Sequence, residues 1–234
     1  MRWIIPDIHG YLRTFQYLVE KQLQPGSDDT LYLLGDYIDR GPDSKGVIDY
    51  IQRIQHEICA VYCLKGNHED LCIKAYEADQ KRLFLGKKHQ EQKDWEAVGG
   101  KTTLESFGVA HPHELPAEYI EWMRKCLPYI ELEKFILVHA GMNFSIENPF
   151  EDTVSMLWTR RFKVDYAKTK GKKIIHGHIP VDYSFMHHVI ENGDNYDFIA
   201  LDNGVFVTDQ SGMGNLTAFN PDTGQLLAQT NLDE

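Results

Sequence analysis

The chain has 234 residues and a formal net charge of −11, which results from 35 acidic and 24 basic residues. A hydrophobic content of 42% and a charged content of 25% are ordinary for a globular protein and exclude a disordered chain or a fibrous repeat. The acidic charge disfavours nucleic acid and anionic membranes as partners, because both are negatively charged themselves.

A short apolar run that ends abruptly in Asp, His or Asn next to a glycine occurs five times along the chain. This pattern predicts five buried strands, each with a polar cluster at its carboxyl end. The runs lie at residues 3–5, 31–34, 61–64, 135–138 and 174–175. Because ligands of open α/β sheets gather at the carboxyl ends of the strands, we expect all five clusters to meet in one cleft.

Helices are predicted between the first three strands. Apolar residues recur at helical spacing over residues 12–23, and Pro25-Gly26 then ends the segment. Asp43 and Ser44 can cap a second helix, whose apolar stripe runs over residues 47–54. The order strand, helix, strand, helix, strand predicts the α/β class.

The remaining segments differ in composition. Residues 70–130 are rich in polar and charged stretches, and we expect a helical insertion there with Trp95 among its buried anchors. No linker composition frames the insertion, so residues 1–234 are expected to form one domain. After residue 185, turn signals predict antiparallel hairpins that complete a second sheet. Asp202-Asn203-Gly204 follows an apolar run in this part, and a hairpin turn is preferred there over a position near the cleft.

The strand ends carry oxygen and nitrogen ligands without sulfur, a set that suits Mn²⁺, Fe or Zn²⁺ in an open site. These residues are Asp7, His9, Asp36, Asn67, His139, His176 and His178. Their number implies two ions, and Asp36 is the simplest carboxylate for both to share. A water held between two such ions is a hydroxide at neutral pH, and this chemistry fits hydrolysis of a phosphate ester best.

The same segments resemble, in order and spacing, the motifs of the PPP family of metal-dependent phosphoprotein phosphatases, which belongs to the calcineurin-like metallophosphoesterases. The similarity is closest to short bacterial and bacteriophage members. The motifs are D-I-H-G at 7–10, G-D-Y-I-D-R-G at 35–41, G-N-H-E at 66–69, H-A-G at 139–141 and G-H at 177–178. The resemblance implies a four-layer αββα sandwich, in which two mixed β-sheets are flanked by helices.

The resemblance also implies a role for each residue. The first ion would be held by Asp7, His9 and Asp36. The second ion would be held by Asp36, Asn67, His139 and His178. Two divalent ions are thus expected, with manganese preferred and iron or zinc as alternatives. His68 would be the general acid that protonates the leaving group, oriented by Asp39. Arg40 and Arg160 would bind the phosphoryl oxygens, with Arg161 as the alternative to Arg160.

The last motif distinguishes between branches of the wider family. Related nucleases and phosphodiesterases carry Gly-His-x-His there, whereas this chain has Pro180 at the position of the second histidine. This difference favours the PPP branch. His176 is expected to lie beside the metal ligands, although its spacing from His178 leaves an exchange of their roles open.

Three functions follow as expectations. The first is hydrolysis of phosphoserine or phosphothreonine in a phosphoprotein or phosphopeptide. The alternative is hydrolysis of a small nucleotide polyphosphate, such as diadenosine tetraphosphate. A phospho-binding module without turnover is disfavoured, because every ligand type and His68, Asp39 and Arg40 are present. The sequence shows no run of 18 apolar residues, no signal sequence and no C-x-x-C pair, so we expect a cytoplasmic protein of unspecified oligomeric state.

Overall fold

The computed structural model describes residues 1–81 and 90–233, whose strands form two mixed sheets. In chain order the strands are β1 (Arg2–Ile5), β2 (Thr30–Leu33), β3 (Ala60–Cys63), β4 (Tyr129–Glu131), β5 (Phe135–Val138), β6 (Lys173–His176), β7 (Phe198–Ala200), β8 (Asn215–Phe219) and β9 (Leu226–Thr230). The first sheet has the order β3-β2-β1-β8-β9, and the second has the order β4-β5-β6-β7. Strands β1 to β3 are parallel to one another, as are β5 to β7. All five predicted strands are confirmed.

The predicted helices are confirmed as well. In chain order the α-helices of the described residues are α1 (Leu12–Tyr17), α2 (Ser44–Glu57), α3 (Asn67–Gln80), α4 (Gln90–Ala97), α5 (Gly100–Phe107), α6 (Ala117–Lys125), α7 (Thr153–Trp158), α8 (Tyr166–Thr169) and α9 (Tyr183–Glu191). A π-helical segment, Leu18–Leu23, continues α1. Asp43 caps α2 by accepting the backbone N–H of Gly46 at 2.7 Å. Helices α3 to α6 occupy the expected insertion, of which residues 82–89 lie outside the described residues.

Alternation along the strands divides the apolar core into layers. In β1, Trp3 and Ile5 pack against helices α1 and α2, whereas Ile4 points between the two sheets. In β5, Leu137 faces Ile4 across the same inner layer, and its neighbour Val138 packs on the outer side with Met156 of α7. The order of layers is therefore helix, sheet, sheet, helix, which confirms the αββα sandwich.

The hairpin at the end of the chain differs from the prediction. Strands β8 and β9 form the expected antiparallel hairpin, but Phe219 of β8 pairs with Ile4 of β1, so the hairpin extends the first sheet and not the second. Alternation of apolar residues shows that the two faces of a strand are buried to different extents. It does not show with which edge strand of a sheet the new strand pairs. Among the described residues, no helix combines the length and the apolar character needed to cross a membrane.

Candidate metal centre

The predicted polar clusters meet at the carboxyl ends of β1, β2, β3, β5 and β6. Asp36, which follows β2, is at the centre of this arrangement. Its Oδ2 atom lies 3.7 Å from Nε2 of His9, 3.8 Å from Nε2 of His68 and 3.5 Å from Nε2 of His139. All four side chains are buried. The parallel strands thus bring together side chains that are more than 100 positions apart in the sequence.

The backbone fixes the orientation of two of the imidazoles. Nδ1 of His9 lies 3.0 Å from the carbonyl oxygen of Ile38, and Nδ1 of His139 lies 2.9 Å from that of Leu34. A carbonyl oxygen only accepts, so each Nδ1 donates a proton and each Nε2 carries a lone pair, at 3.7 Å (His9) and 3.5 Å (His139) from Oδ2 of Asp36. This tautomer is the one in which Nε2 can bind a metal ion.

The remaining predicted ligands lie beside this cluster. Oδ1 of Asn67 is 2.9 Å from Nε2 of His139 and 3.0 Å from Nδ1 of His178. The backbone N–H of His178 donates to both carboxylate oxygens of Asp7, at 3.0 and 3.1 Å. The structure therefore brings together Asp7, Asn67, His139 and His178, although they come from four different strand ends.

The backbone is strained at this site. His9, Asp36, Asp39, Arg40 and His178 all have positive φ, between 50° and 72°. Residues other than glycine rarely adopt this left-handed backbone conformation, and they keep it only where the surrounding structure stabilises it. Five of the predicted site residues share this strain, so the fold stabilises the geometry of the cluster at a local cost.

Burial and charge set the protonation of the ligands. Burial lowers the pKa of His9, of His139 and of His178, the last to about 3, so these imidazoles are neutral at neutral pH. Burial alone would raise the pKa of Asp36, but the surrounding histidines outweigh it and hold the pKa below its usual value. Burial and the carboxylates of Asp202 and Asp36 raise the pKa of Asp7, and the N–H of His178 and the charge of Arg40 offset this only in part.

Two groups of side chains at this site could hold a divalent metal ion, and Asp36 belongs to both. One group of donor atoms within 4.8 Å of one another comprises His9, Asp36 and His68, and a second comprises Asp36, His139 and His178. The lone pairs of Nε2 of His139 and Oδ1 of Asn67 face each other at 2.9 Å, an arrangement that a cation would satisfy. Nε2 of His178 is buried without a hydrogen-bond partner in the described part of the chain. The donors are nitrogen and oxygen, as predicted.

His68 differs from the other histidines in its partners. Its Nδ1 lies 2.7 Å from Oδ2 of Asp39, and Asp39 in turn accepts hydrogen bonds from Thr103 at 2.6 Å and from Nε1 of Trp95 at 2.8 Å. Burial would lower the pKa of His68, but Asp36 and Asp39 outweigh it and raise the pKa. A raised pKa keeps a proton on the imidazole, as a general acid requires. His68 nonetheless belongs to the group of donor atoms within 4.8 Å of one another that also includes His9 and Asp36.

The predicted phosphate-binding arginines occupy different positions. Nη1 of Arg40 lies 2.9 Å from Nε2 of His9, and Nη2 lies 3.2 Å from Nε2 of His68, so this guanidinium is inside the cluster. The ring of Phe206 lies 4.0 Å below it. Arg160 is exposed, follows α7 and is close enough to His178 to contribute to lowering its pKa. The next residue, Arg161, is also exposed.

Two acidic residues near the centre were not predicted to belong to the site. Asp202 is buried, accepts the N–H of Gly204 at 2.7 Å and leaves Oδ2 without a partner among the described residues. Its backbone carbonyl accepts the N–H of Val181, three residues after His178, at 2.9 Å, so Asp202 lies near the cleft. The run at residues 198–201 ends in Asp-Asn-Gly after β7, which is the same signal as at the other five strand ends.

Glu69 is the second of these residues, and it supports the loop that carries Asp36. Its buried carboxylate accepts three backbone N–H groups, from Asp36 at 2.9 Å, Tyr37 at 2.8 Å and Gly66 at 2.9 Å. Burial, followed by the charge of Asp36, raises the pKa of Glu69 to about 7. Its position in the G-N-H-E motif was the available signal.

We expect Glu69→Gln to destabilise the protein. The amide has only one oxygen, so at least one of the backbone N–H groups of Asp36, Tyr37 and Gly66 would face an NH₂ group and lose its acceptor. An unsatisfied buried donor costs about 1–3 kcal/mol in the free energy of unfolding. Urea unfolding at a fixed manganese concentration measures the loss.

The matched control is Glu77→Gln on the same helix, because the Glu77 side chain is 45% exposed and pairs with Arg124 in the described residues. A surface ion pair contributes less than about 1 kcal/mol. Equal unfolding free energies for the two variants would contradict the supporting role of Glu69.

Two layered sheets thus carry buried histidine and aspartate clusters at their carboxyl edges. The chain belongs to the calcineurin-like phosphoesterase family, whose model matches residues 2–207. The wider family implied by the sequence motifs is thereby confirmed, whereas membership of the PPP branch stays a prediction.

The chain is also similar in sequence or in structure to individual proteins of known name. The symmetrical bis(5'-nucleosyl)-tetraphosphatase of Buchnera aphidicola subsp. Schizaphis graminum is 29% identical over 145 residues, 60% of this chain and 44% of the relative. An asymmetrical bis(5'-nucleosyl)-tetraphosphatase of Oceanobacillus iheyensis is 31% identical over 151 residues, 59% of this chain and 55% of the relative. The chain thus spans about half the length of these relatives. A protein serine/threonine phosphatase structure from Saccharomyces cerevisiae has a TM-score of 0.60 at 12% identity, covering 100% of this chain and 80% of that one, and shows the fold alone.

Proposed function

We propose that this protein hydrolyses dinucleoside polyphosphates, with diadenosine tetraphosphate as the representative substrate, at a centre of two divalent metal ions. The observation that supports the centre is the position of Asp36, whose Oδ2 lies within 3.8 Å of Nε2 of three buried histidines. The sequence similarity to two kinds of bis(5'-nucleosyl)-tetraphosphatase supports the substrate class. The relatives therefore favour the second of the substrate classes expected from the sequence.

The proposal assigns the ligands as the motifs imply. The first ion would be held by Asp7, His9 and Asp36, and the second by Asp36, Asn67, His139 and His178. Manganese suits this oxygen and nitrogen set, as do iron and zinc. When bound, the two ions would hold phosphoryl oxygens and activate a water molecule for an in-line displacement.

The residues of the chain supply the remaining steps. His68 donates a proton to the leaving group, and the carboxylate of Asp39 at 2.7 Å holds its imidazole in position. Arg40 lies beside both His9 and His68, so its guanidinium can bind phosphoryl oxygens between them. Arg160, whose charge acts on His178, would bind a further phosphoryl oxygen. Burial of the cluster excludes most bulk water and strengthens these charge interactions.

Hydrolysis of phosphoserine or phosphothreonine in proteins is the second candidate. The motif G-D-Y-I-D-R-G at residues 35–41 favours it, because this segment resembles that of protein phosphatases. The metal ligands and the acid would be the same for both substrates. The difference between the two functions therefore lies in the surface around the centre and not in the centre itself.

A substrate comparison tests the proposal. The manganese-loaded protein is incubated with diadenosine tetraphosphate and with a panel of phosphoserine and phosphothreonine peptides. We expect kcat/KM to be higher for the dinucleotide by at least about tenfold, which corresponds to about 1.4 kcal/mol of transition-state stabilisation. Chromatography of the products then separates symmetrical cleavage, which yields two ADP, from asymmetrical cleavage, which yields ATP and AMP.

Removal of the metal is the control for this comparison. Chelation should abolish turnover of both substrate classes, and added manganese should restore it. A preference of similar size for a phosphopeptide would contradict the dinucleotide proposal and leave the metal centre in place. Turnover that persists after complete chelation would contradict the metal centre.

A further inference from the structure

A cavity of 270 Å³ lies on the outer face of the second sheet, next to the candidate metal centre. Its walls are aromatic. The ring of His176 is 5.4 Å from that of Phe162 and 5.6 Å from that of Phe198, and Phe185 of α9 lines the opening with 37% of its surface exposed. The volume approaches that of ordinary small-molecule sites, which are also lined mainly by aromatic and apolar groups.

The buried ring of His176 offers this cavity one polar atom. Its Nδ1 lies 3.0 Å from the carbonyl oxygen of Gly177 and therefore donates to it. Because the backbone engages Nδ1, Nε2 is the ring nitrogen left for a ligand of the cavity that His176 lines. An acceptor in an aromatic pocket fixes the orientation of a flat ligand that carries an N–H group.

The charge around the cavity is opposite in sign to that of the whole chain. Arg160 and Arg161 line it, and none of the described lining residues is acidic, whereas the chain carries a net charge of −11. His176 of the cavity wall is two residues before His178, and the ring of Trp158, two residues before Arg160, lies 6.4 Å from the ring of His178, so the cavity adjoins the metal centre. A ligand in the cavity can therefore extend an anionic group past the arginines to the metal centre.

We propose that this cavity binds the base and ribose of a nucleoside whose phosphate chain extends to the metal centre. Phe162, Phe185 and Phe198 would stack on or enclose the base, and Nε2 of His176 would accept a hydrogen bond from its amino group. Arg160 and Arg161 would both pair with the phosphate chain. The two arginines, which the sequence analysis treats as alternatives, would then act together. This inference rests on the proposed function, because it supplies a dinucleoside polyphosphate with a site for one of its nucleosides.

Phe185→Ala tests the proposal, since a partly exposed ring can be removed without opening the core. The measurement is the ratio of kcat/KM for diadenosine tetraphosphate to kcat/KM for p-nitrophenyl phosphate, which has no nucleoside. Stacking on an aromatic ring predicts a fall in this ratio of roughly tenfold, carried by KM for the dinucleotide. Phe185→Tyr, which keeps the ring, should restore the ratio.

The control is Tyr17→Ala, which removes an exposed aromatic ring from α1, away from the cavity. A loss of activity through poorer folding would lower both kcat/KM values together and leave their ratio unchanged. An equal ratio for Phe185→Ala and Tyr17→Ala would overturn the proposal. A rise in KM for phosphopeptides in Phe185→Ala, without one for the dinucleotide, would also overturn it and indicate a peptide site.

Binding of AMP separates this proposal from the proposed function. Calorimetry on the manganese-loaded protein should show tighter binding of AMP than of inorganic phosphate, and Phe185→Ala should remove the difference. If the wild-type protein does not hydrolyse the dinucleotide but shows this difference, the proposed function fails and the nucleoside site stands. If AMP and phosphate bind alike to the wild-type protein, the nucleoside site fails whatever the activity.

Discussion

His68→Asn is expected to lower turnover by roughly 10²- to 10⁴-fold, the contribution of a general acid, while the metal content stays unchanged. Nδ1 of His68 lies 2.7 Å from Asp39, and Trp95 and Thr103 hold Asp39 in turn. The contact with Asp39 orients the imidazole, and Asp36 and Asp39 together raise its pKa, which a proton donor needs and a metal ligand does not. Turnover and manganese content, by elemental analysis, are the two measurements.

The leaving group provides a sharper test of the same assignment. A nitrophenolate ion is stable without a proton, so loss of the acid should affect p-nitrophenyl phosphate less than phenyl phosphate. The matched control is His56→Asn, since His56 is exposed at the end of α2. Equal losses on both substrates, accompanied by a loss of metal, would show that His68 is a ligand, as its position within 3.8 Å of Asp36 permits.

The strand ends explain why so much of the site was predictable. A polar residue after a buried apolar run has little reason to be there unless it acts at the sheet edge, and parallel strands bring such residues together. Asp7, Asp36, Asn67, His139 and His178 all followed from this argument, and the structure brings them together. The same argument applied to β7 would have found Asp202, but the Asn-Gly turn signal beside it favoured a hairpin.

Other features depend on contacts that have no local signal. The attachment of β8 to β1 is a choice between two sheet edges, and the alternation of apolar residues is compatible with both. The G-N-H-E motif marks Glu69, but its role as a support also depends on the N–H groups of Asp36 and Tyr37, which only the fold brings close to it. The cavity around His176 depends likewise on α9 and on the segment after α7, which are distant in sequence.

Close approach explains two glycines of the motifs. A Cβ atom on Gly66 would lie 2.0 Å from Oδ1 of Asp36, which is far inside a van der Waals contact. Gly35 has a φ of 107°, and a Cβ atom there would lie 2.6 Å from the backbone nitrogen of Gly66. The loops after β2 and β3 are therefore in backbone contact, and any side chain at either position would displace Asp36.

Asp36→Asn is expected to remove metal and activity together. Asn adopts positive φ more readily than most residues, so the strained backbone at 52° tolerates the change, and the side-chain volume is nearly conserved. The amide has one neutral oxygen where the carboxylate offers two charged ones, so it cannot serve two ions in the same way. Because stabilisation of charge by metal ions contributes several kcal/mol, we expect turnover to fall by roughly 10³-fold or more.

The metal content shows whether the loss of activity in Asp36→Asn results from a loss of metal ions. The wild-type protein should hold two equivalents of manganese after loading and gel filtration, and Asp36→Asn should hold one or none. Asp49→Asn is the matched control, because Asp49 is an exposed aspartate that pairs with Lys45. Two retained equivalents in Asp36→Asn would contradict a shared carboxylate, since each ion would then be held by its own ligands. A wild-type protein with a single equivalent would contradict the two-ion centre itself, because the three histidines around Oδ2 of Asp36 would then surround one ion only.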